Sequence, residues 1–210
     1  TFDPSDAAYD SLARDESTVV TVTYIVTDLF NTSSSNSFDI TINGVNDTPV
    51  ATFDAQQNVN EGDAVLAGAL TASDPDNGDS LTFADTTGGV AGFTLTDVST
   101  GAFTFDPSDA AYDELDEGDV VTLTIDYSVT DSESASGNGA FAIVVTGTND
   151  APVATFVTDS TFDEGDAVFT DNLTATDIDA DDTLSFSLDG AAPAGFSLDD
   201  AATGAFTFDP

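Results

Sequence analysis

Hydrophobic and polar residues alternate along most of this chain. Every second residue of the segment 121–130 is apolar, and a similar pattern covers residues 139–146. Because successive side chains of a strand point to opposite faces of a sheet, this pattern predicts β-strands with one buried face. An earlier copy of the pattern contains Phe38, Ile40 and Ile42. Residues 108–115 could form one short turn of helix, with Ser108 as its N-cap.

Seven strands are predicted in the middle of the chain, with Gly, Pro, Asn and Asp residues at the turns between them. They lie near residues 50–59, 64–72, 80–84, 92–97, 101–105, 119–130 and 139–147. Seven short strands in about 100 residues are typical of a Greek-key β-sandwich, so the predicted fold class is all-β. The predicted core consists of Val65, Leu70, Leu81, Phe83, Phe93, Leu95, Phe103, Phe105, Tyr112, Leu115, Leu123, Ile125, Tyr127, Val129, Phe141, Ile143 and Val145.

Long strings of the sequence recur at a fixed distance. The segment Phe2–Asp10 returns unchanged as Phe105–Asp113, and the string Asn46-Asp47-Thr48-Pro49 returns as Asn149-Asp150-Ala151-Pro152. From Asn46 to Asn149 the period is 103 residues. A fixed long period indicates tandem domains. It predicts three parts: residues 1–47 as the C-terminal part of a preceding repeat, 48–150 as one complete repeat, and 151–210 as the N-terminal part of a following repeat.

The charge of the chain limits its partners. Forty acidic residues face a single basic one, Arg14, which gives a formal net charge of −39. Such a chain repels itself unless cations screen or bind it, and its charge does not favour nucleic acid or an anionic bilayer. No apolar run is long enough for insertion into a membrane. The absence of Cys fits extracellular bacterial repeat proteins that use metal ions as cross-links.

The acidic residues are concentrated in short strings at predicted strand ends. Calcium prefers six to eight oxygen ligands from carboxylates and carbonyls, and an Asp-x-Asp loop places two carboxylates side by side. In a sandwich, the trailing end of one repeat, the linker and the leading end of the next bring these strings together. The candidate calcium ligands are Asp3, Asp6, Asp28, Asn46, Asp47, Glu61, Asp63, Asp74, Asp76, Asp79, Asp106, Asp109, Asp131, Asn149, Asp150, Glu164, Asp166, Asp177 and Asp179.

The strings resemble those of cadherins and of the cadherin-like, VCBS-type repeats in the extender regions of large bacterial adhesins. Glu61 is similar to the cadherin glutamate of an early strand connection, and Asp131 to the aspartate that closes the sixth strand. The other matching strings are the Asp-x-Asp loops at Asp74 and Asp177, the linker Asn149–Pro152, and Asp106 with Asp109. The resemblance implies cadherin- or immunoglobulin-like sandwiches joined by Ca²⁺. The linker is shorter than in cadherins, which leaves the number of ions per joint open.

The favoured function is a structural spacer in a secreted bacterial adhesin or extracellular fibre, stiffened by calcium between neighbouring repeats. One alternative is an acidic surface-layer or biofilm-matrix protein whose repeats self-assemble by strand complementation, and another is a carbohydrate-binding module. Enzyme activity is not expected, because His, Cys and Lys are absent and the same acids recur in each repeat.

Identical chains are a further candidate partner, arranged head to tail in a filament. Residues 19–27 and 37–43 are predicted to form strands that pair with the segment 151–210 of an adjacent copy. Each incomplete repeat is predicted to expose apolar side chains to water. These are Phe38, Ile40 and Ile42 in the first and Phe186, Phe196, Phe206 and Phe208 in the second.

Overall fold

The computed structural model describes residues 1–179 and 181–210. Within these residues the regular secondary structure is all β, with sixteen strands and no helix, which confirms the predicted class. No helix in the described ranges has the length and apolar character needed to cross a membrane. The strands are β1 (Ser17–Thr27), β2 (Ser33–Asn43), β3 (Val50–Ala51), β4 (Gln57–Asn60), β5 (Leu66–Ala69), β6 (Ala72–Ser73), β7 (Thr82–Asp85), β8 (Phe93–Asp97), β9 (Ala102–Phe105), β10 (Val120–Thr130), β11 (Ser136–Thr146), β12 (Val153–Ala154), β13 (Phe169–Asn172), β14 (Ala175–Thr176), β15 (Phe196–Asp200) and β16 (Ala205–Phe208).

The chain forms two compact units. The first unit comprises Thr1–Gln57, Val65–Phe105 and Leu123–Ile143. The second unit comprises Asn58–Ala64, Asp106–Thr122 and Val144–Pro210.

The sheets are antiparallel and repeat one arrangement along the sequence. Strands β1 and β2 form a hairpin in register from Ser17 opposite Asn43 to Thr27 opposite Ser33. In the complete repeat, strands β4, β11, β10 and β7 form one sheet in that order, β5, β9 and β8 form another, and β3 pairs with β6. In the second unit β12 pairs with β14, and β13, β16 and β15 form a three-stranded sheet.

Aromatic rings fill the core of the first unit. Phe141 meets Phe53 edge-on at a centroid distance of 4.9 Å and lies 5.3 Å from Phe103. The Tyr127 hydroxyl accepts a 3.0 Å hydrogen bond from the Phe53 N–H and donates one to the Phe53 carbonyl. A buried tyrosine needs such a partner, so this pair fixes the segment after β3 against β10.

Most of the predicted core residues on the central strands are buried, but one predicted core residue is exposed. The buried residues that were predicted are Leu70, Phe83, Phe103, Phe105, Tyr112, Ile125, Tyr127, Val129, Phe141, Ile143 and Val145. Val65 is 53% exposed, so its prediction as a core residue is wrong. Strand β5 begins at Leu66, two residues after the predicted start at 64, so Val65 lies just before the strand.

Two predicted elements differ in detail. The predicted strand 50–59 is divided into β3 and β4. Residues 108–115 form consecutive turns instead of a helix, with the Tyr112 N–H bonded to the Asp109 carbonyl at 2.9 Å. The Asp109 carboxylate accepts a bond from the Ala111 N–H, and such local side-chain bonds compete with helix formation.

The incomplete repeats bury more apolar surface than predicted. Phe206 is only 6% exposed because Phe156, Phe169 and Phe196 surround it with centroid distances of 5.2–6.0 Å. Ile42 is 7% exposed. The predicted exposure to water is therefore wrong for Phe206 and Ile42. Phe38 is 52% exposed, as predicted. Residues 160–163 and 185–188, one period after β4 and β7, form no strand.

Candidate metal centre

The loop that follows β6 gathers three carboxylates. The Asp76 N–H donates a 2.9 Å hydrogen bond to Oδ1 of Asp74, which closes a tight turn. Gly78 continues the turn with φ of +84°, a conformation that favours glycine. Asp76 is only 4% exposed, and one carboxylate oxygen of each of Asp74, Asp76 and Asp79 lies within 4.8 Å of the others.

The linker before β3 approaches this loop. The Asp47 N–H donates a 2.8 Å bond to Oδ2 of Asp76, and Nδ2 of Asn46 donates a 2.8 Å bond to Oδ2 of Asp131. Asp131 directly follows β10, and its Oδ1 accepts a 2.8 Å bond from the Ala135 N–H across the hairpin loop. The linker, the loop and the end of β10 thus meet. We call Asn46, Asp47, Asp74, Asp76, Asp79 and Asp131 the first joint cluster.

Several oxygens of the first joint cluster have lost water without gaining a hydrogen bond. Among the described residues, buried and unpartnered oxygens are found at Asn46 Oδ1, Asp74 Oδ2, Asp76 Oδ1 and Asp79 Oδ2. Buried carboxylate oxygens without partners are costly, and native structures contain few of them. An all-oxygen set of carboxylates and an amide fits a hard cation such as calcium.

The surroundings disfavour ionisation of Asp74 and Asp47 and favour ionisation of Asp131. Burial raises the pKa of Asp74, and the charges of Asp76 and Asp79 raise it further. Burial followed by the charge of Asp76 also raises the pKa of Asp47. Burial opposes ionisation of Asp131, but its bonds from Asn46 and from backbone N–H groups outweigh that effect and lower its pKa. A bound cation would relieve the repulsion.

A second joint cluster repeats this geometry in the second unit. The Asp150 N–H donates a 2.7 Å bond to Oδ2 of Asp179, and the Asp179 N–H donates a 3.3 Å bond to Oδ1 of Asp177. Asp179 is 3% exposed, and its Oδ1 and the Oδ2 of Asp177 are buried without a partner among the described residues. Asp182 completes a triad with them. Asp150, Asp177, Asp179 and Asp182, with Glu61, define the second joint cluster.

Glu61 brings the trailing end of the complete repeat to this cluster. It is 7% exposed, and its Oε2 accepts a 3.2 Å bond from the Thr148 N–H in the outgoing linker. Burial raises the pKa of Glu61 despite this bond, and the charge of Asp150 adds to the shift. An open cleft of about 630 Å³ is lined by Glu61, Asp113, Asp150 and Asp177.

Most of the other predicted ligands close local turns. Each of these carboxylates accepts a hydrogen bond from a nearby backbone N–H. The donor lies two to four residues later in the chain for Asp3, Asp6, Asp28, Asp106 and Asp109. It lies three residues earlier for Asp63 and Asp166. Side-chain and backbone bonds from Ser5 and Ser108 lower the pKa of Asp3 and Asp106, respectively. Asn149 and Glu164 are exposed. For these residues a calcium-ligand role stays a prediction.

Two residues of the carboxylate triads were not predicted from the sequence. Asp182 lies one period after Asp79, so the repeat itself could have identified it. Glu133 forms a triad with Asp79 and Asp131 and accepts a 2.6 Å bond from the Ser132 hydroxyl. No repeated string marks Glu133, because the residue one period earlier is Phe30.

Comparison with known proteins supports the fold. Residues 46–144 match the family of bacterial Ig domains. Human CDH23 EC21-23 is similar with a TM-score of 0.53 and 19% identity, covering 90% of this chain and 65% of that chain. PcdhgB3 EC1-4 is similar with a TM-score of 0.50 and 16% identity, covering 93% of this chain and 58% of that chain. The chain thus spans less than two thirds of each of these structures, and no curated protein matches it. The predicted cadherin-like sandwich is confirmed.

Proposed function

We propose that this chain is part of an extracellular spacer whose joints are stiffened by calcium. The proposal starts from the match to bacterial Ig domains and from the cadherin-like fold. Bacterial Ig domains are typically extracellular structural modules.

The observation that carries the proposal is the pair of matching joint clusters. In each, the linker Asp donates a backbone bond to a buried Asp that retains an unpartnered oxygen. One buried acid could be an isolated feature of packing. The same arrangement at both linkers favours a shared ligand, and an oxygen-only donor set favours calcium.

In this proposal each residue has a defined task. Asp74 and Asp76, with Asn46 and Asp131, would hold calcium at the first joint. Asp177 and Asp179, with Glu61 and Asp150, would hold it at the second. Calcium would supply the positive charge that these sites lack and tie the linker to the loop beside it. The remaining negative charge would keep the fibre soluble and extended.

The proposal is tested by thermal unfolding and small-angle X-ray scattering with calcium, with magnesium and with a chelator. Each independent site would add about 2.7 kcal/mol at a free calcium 100 times its dissociation constant. We expect a higher melting temperature and a narrower range of interatomic distances with calcium. Unchanged melting and scattering on chelation would reject the proposal.

A second candidate function, self-assembly between copies, is favoured by the hairpin β1–β2. Val26 and Phe38 are 62% and 52% exposed, whereas Val129 and Phe141, one period later, are 0% and 4% exposed. An apolar strand face of this kind recruits partners. The partner would be the segment 151–210 of another copy. Concentration-dependent growth in mass by light scattering would support it, and a monomer at all concentrations would exclude it.

A further inference from the structure

In the complete repeat, the turn 60–63 is packed against the end of β11 and the outgoing linker. The Glu61 N–H donates a 2.8 Å hydrogen bond to the Thr146 carbonyl. Its Oε2 accepts the 3.2 Å bond from the Thr148 N–H described above. Glu61 is 7% exposed, so the turn is an inserted part of this repeat and not a surface loop.

A cleft of about 260 Å³ lies open at the equivalent place in the first unit. Its lining includes Asn43 and Val45, which lie one period before the two residues that bond to Glu61. Tyr9 also lines the cleft and is half-buried, whereas Tyr112, one period later, is 4% exposed. The first unit therefore has the place for such a turn but leaves it uncovered.

The walls of this cleft already have the geometry of the complete repeat. The Tyr9 N–H donates a 2.9 Å bond to the Asp6 carbonyl, and the Gly44 N–H donates a 2.9 Å bond to the Glu16 carbonyl. The equivalent bonds one period later measure 2.9 and 2.8 Å. The cleft thus keeps its shape without an occupant.

The turn 163–166 is the counterpart of the turn 60–63 and has the same internal bonds. The Asp163 N–H donates a 2.8 Å bond to Oδ2 of Asp166, and the Asp166 N–H donates a 3.1 Å bond to the Asp163 carbonyl. The equivalent bonds in the turn 60–63 measure 2.8 and 3.2 Å. Glu164, however, is exposed. The chain therefore carries both an open cleft and an exposed copy of the turn that fills such a cleft.

We infer that the cleft of the first unit binds the turn 163–166 of a second copy of this chain. The Glu164 N–H would bond to the Asn43 carbonyl, and its carboxylate would accept a bond from the Val45 N–H, as Glu61 does in the complete repeat. This inference rests on the proposed function, because it supplies the first joint cluster with the glutamate that the second joint cluster already contains. Copies joined in this way run head to tail, and such contacts produce an open filament unless the rotation closes a ring.

Pro4 has to move when the turn enters the cleft. The Gly62 N–H donates a 3.2 Å bond to the Pro107 carbonyl, and the Gly165 N–H donates a 3.3 Å bond to the Pro210 carbonyl. Pro4 and Pro210 each lie one period from Pro107, so Pro210 of the incoming copy takes the position of Pro4. Pro4 is exposed and loses little packing by moving aside.

Calcium controls this association, because each copy carries a net charge of −39. Glu61 and Asp150 line one cleft in the second unit, and Asp47 lines the cleft that Glu164 would enter. The entering carboxylate therefore meets a like charge, and a cation between the two offsets the repulsion. The contact forms in calcium and dissociates in chelator.

Sedimentation velocity of the full chain over a range of concentrations, in calcium and in chelator at constant ionic strength, measures the association. Glu164→Gln removes the charge that accepts the bond, and Glu114→Gln is its exposed control. Ser5→Trp places a large side chain in the cleft. Its control is the exposed Ser99→Trp, because the hydroxyls of Ser5 and Ser99 each donate a 2.7 Å bond to the Asp two residues earlier.

We expect the parent and both controls to associate in calcium, and Glu164→Gln and Ser5→Trp each to raise the dissociation constant about tenfold. An equimolar mixture of these two variants should regain one contact and stop at pairs, because the first retains an open cleft and the second an intact turn. A parent that stays monomeric in calcium, or a mixture no heavier than its components, would overturn the inference. Calcium binding by a monomeric parent would leave the proposed function intact, whereas a parent that binds no calcium contradicts both.

Discussion

The backbone N–H of Asp47 donates a 2.8 Å hydrogen bond to Oδ2 of Asp76, 29 residues further along the chain. Asp150 and Asp179 repeat this bond at 2.7 Å with the same separation. In both pairs the accepting Asp is buried and keeps its other oxygen unpartnered. The linker is thus tied to a carboxylate that still lacks a positive charge.

Asp76→Asn should have opposite effects on stability with and without calcium. In chelator it removes a buried negative charge near Asp74 and should raise the melting temperature. In calcium it removes a ligand and should reduce the calcium-dependent gain by about 2 kcal/mol. Differential scanning calorimetry in both buffers measures this. Asp126→Asn, at an exposed position on β10, is the control and should change little in either. A parallel shift of Asp76→Asn in both buffers would contradict the role assigned to Asp76.

In chelator, stability should fall as the pH rises from mildly acidic to neutral. The folded-state pKa values of Asp74 and Glu61 are raised above 3.8 and 4.5 by burial. The folded protein therefore binds more protons than the unfolded chain just above these values, so its stability is lost as the pH rises through the raised pKa values. At lower pH the lowered pKa of Asp131 acts in the opposite direction. Urea unfolding at a series of pH values tests this, and a monotonic rise in stability up to pH 7 would contradict it.

Two phenylalanines one period apart, Phe38 and Phe141, should contribute very differently to the free energy of unfolding. Phe141 is 4% exposed and contacts Phe53, Phe93 and Phe103, whereas Phe38 is 52% exposed. Phe141→Ala should cost about 3–5 kcal/mol of unfolding free energy, because it leaves a cavity in the core. Phe38→Ala should cost less than about 1 kcal/mol. Urea unfolding in saturating calcium compares them, and equal costs would mean that the hairpin β1–β2 is covered in solution.

Residues 160–163 and 185–188 should become strands when a hairpin is available to pair with them. Their equivalents β4 and β7 flank the hairpin β10–β11 in the complete repeat. Extending the chain beyond Pro210 with a copy of residues 107–147 supplies that hairpin. Hydrogen exchange should then slow in both segments, while β15 changes little. Rapid exchange that persists in both segments would show that pairing with the hairpin does not order them.

Much of the fold could be predicted from the sequence, because alternation of apolar and polar residues determines the strands directly. The long strands β10 and β11 follow it and bury Ile125 and Ile143 completely. The short strands were harder to predict. β3 and β6 contain two residues each and are defined by pairing with each other, which no local pattern encodes.

The candidate site was predictable only in part, because Asp serves two purposes in the same loops. Asp76 and Asp106 both stand in acidic strings, yet Asp76 is buried with a free oxygen and Asp106 accepts two bonds from Ser108. Sequence alone does not separate a turn-closing carboxylate from one left without a partner. Glu133 joins Asp79 only because two loops distant in sequence meet.

Calcium titration calorimetry of the parent chain and of Asp76→Asn/Asp179→Asn tests the central claim most directly. The account predicts saturable binding by the parent, with dissociation constants of roughly 10⁻⁴ to 10⁻³ M. It also predicts loss of most of that binding in the double variant, while Asp54→Asn/Asp126→Asn binds like the parent. Absence of binding by the parent, or equal binding by the parent and Asp76→Asn/Asp179→Asn, would contradict the claim that these two carboxylates hold calcium at the joints.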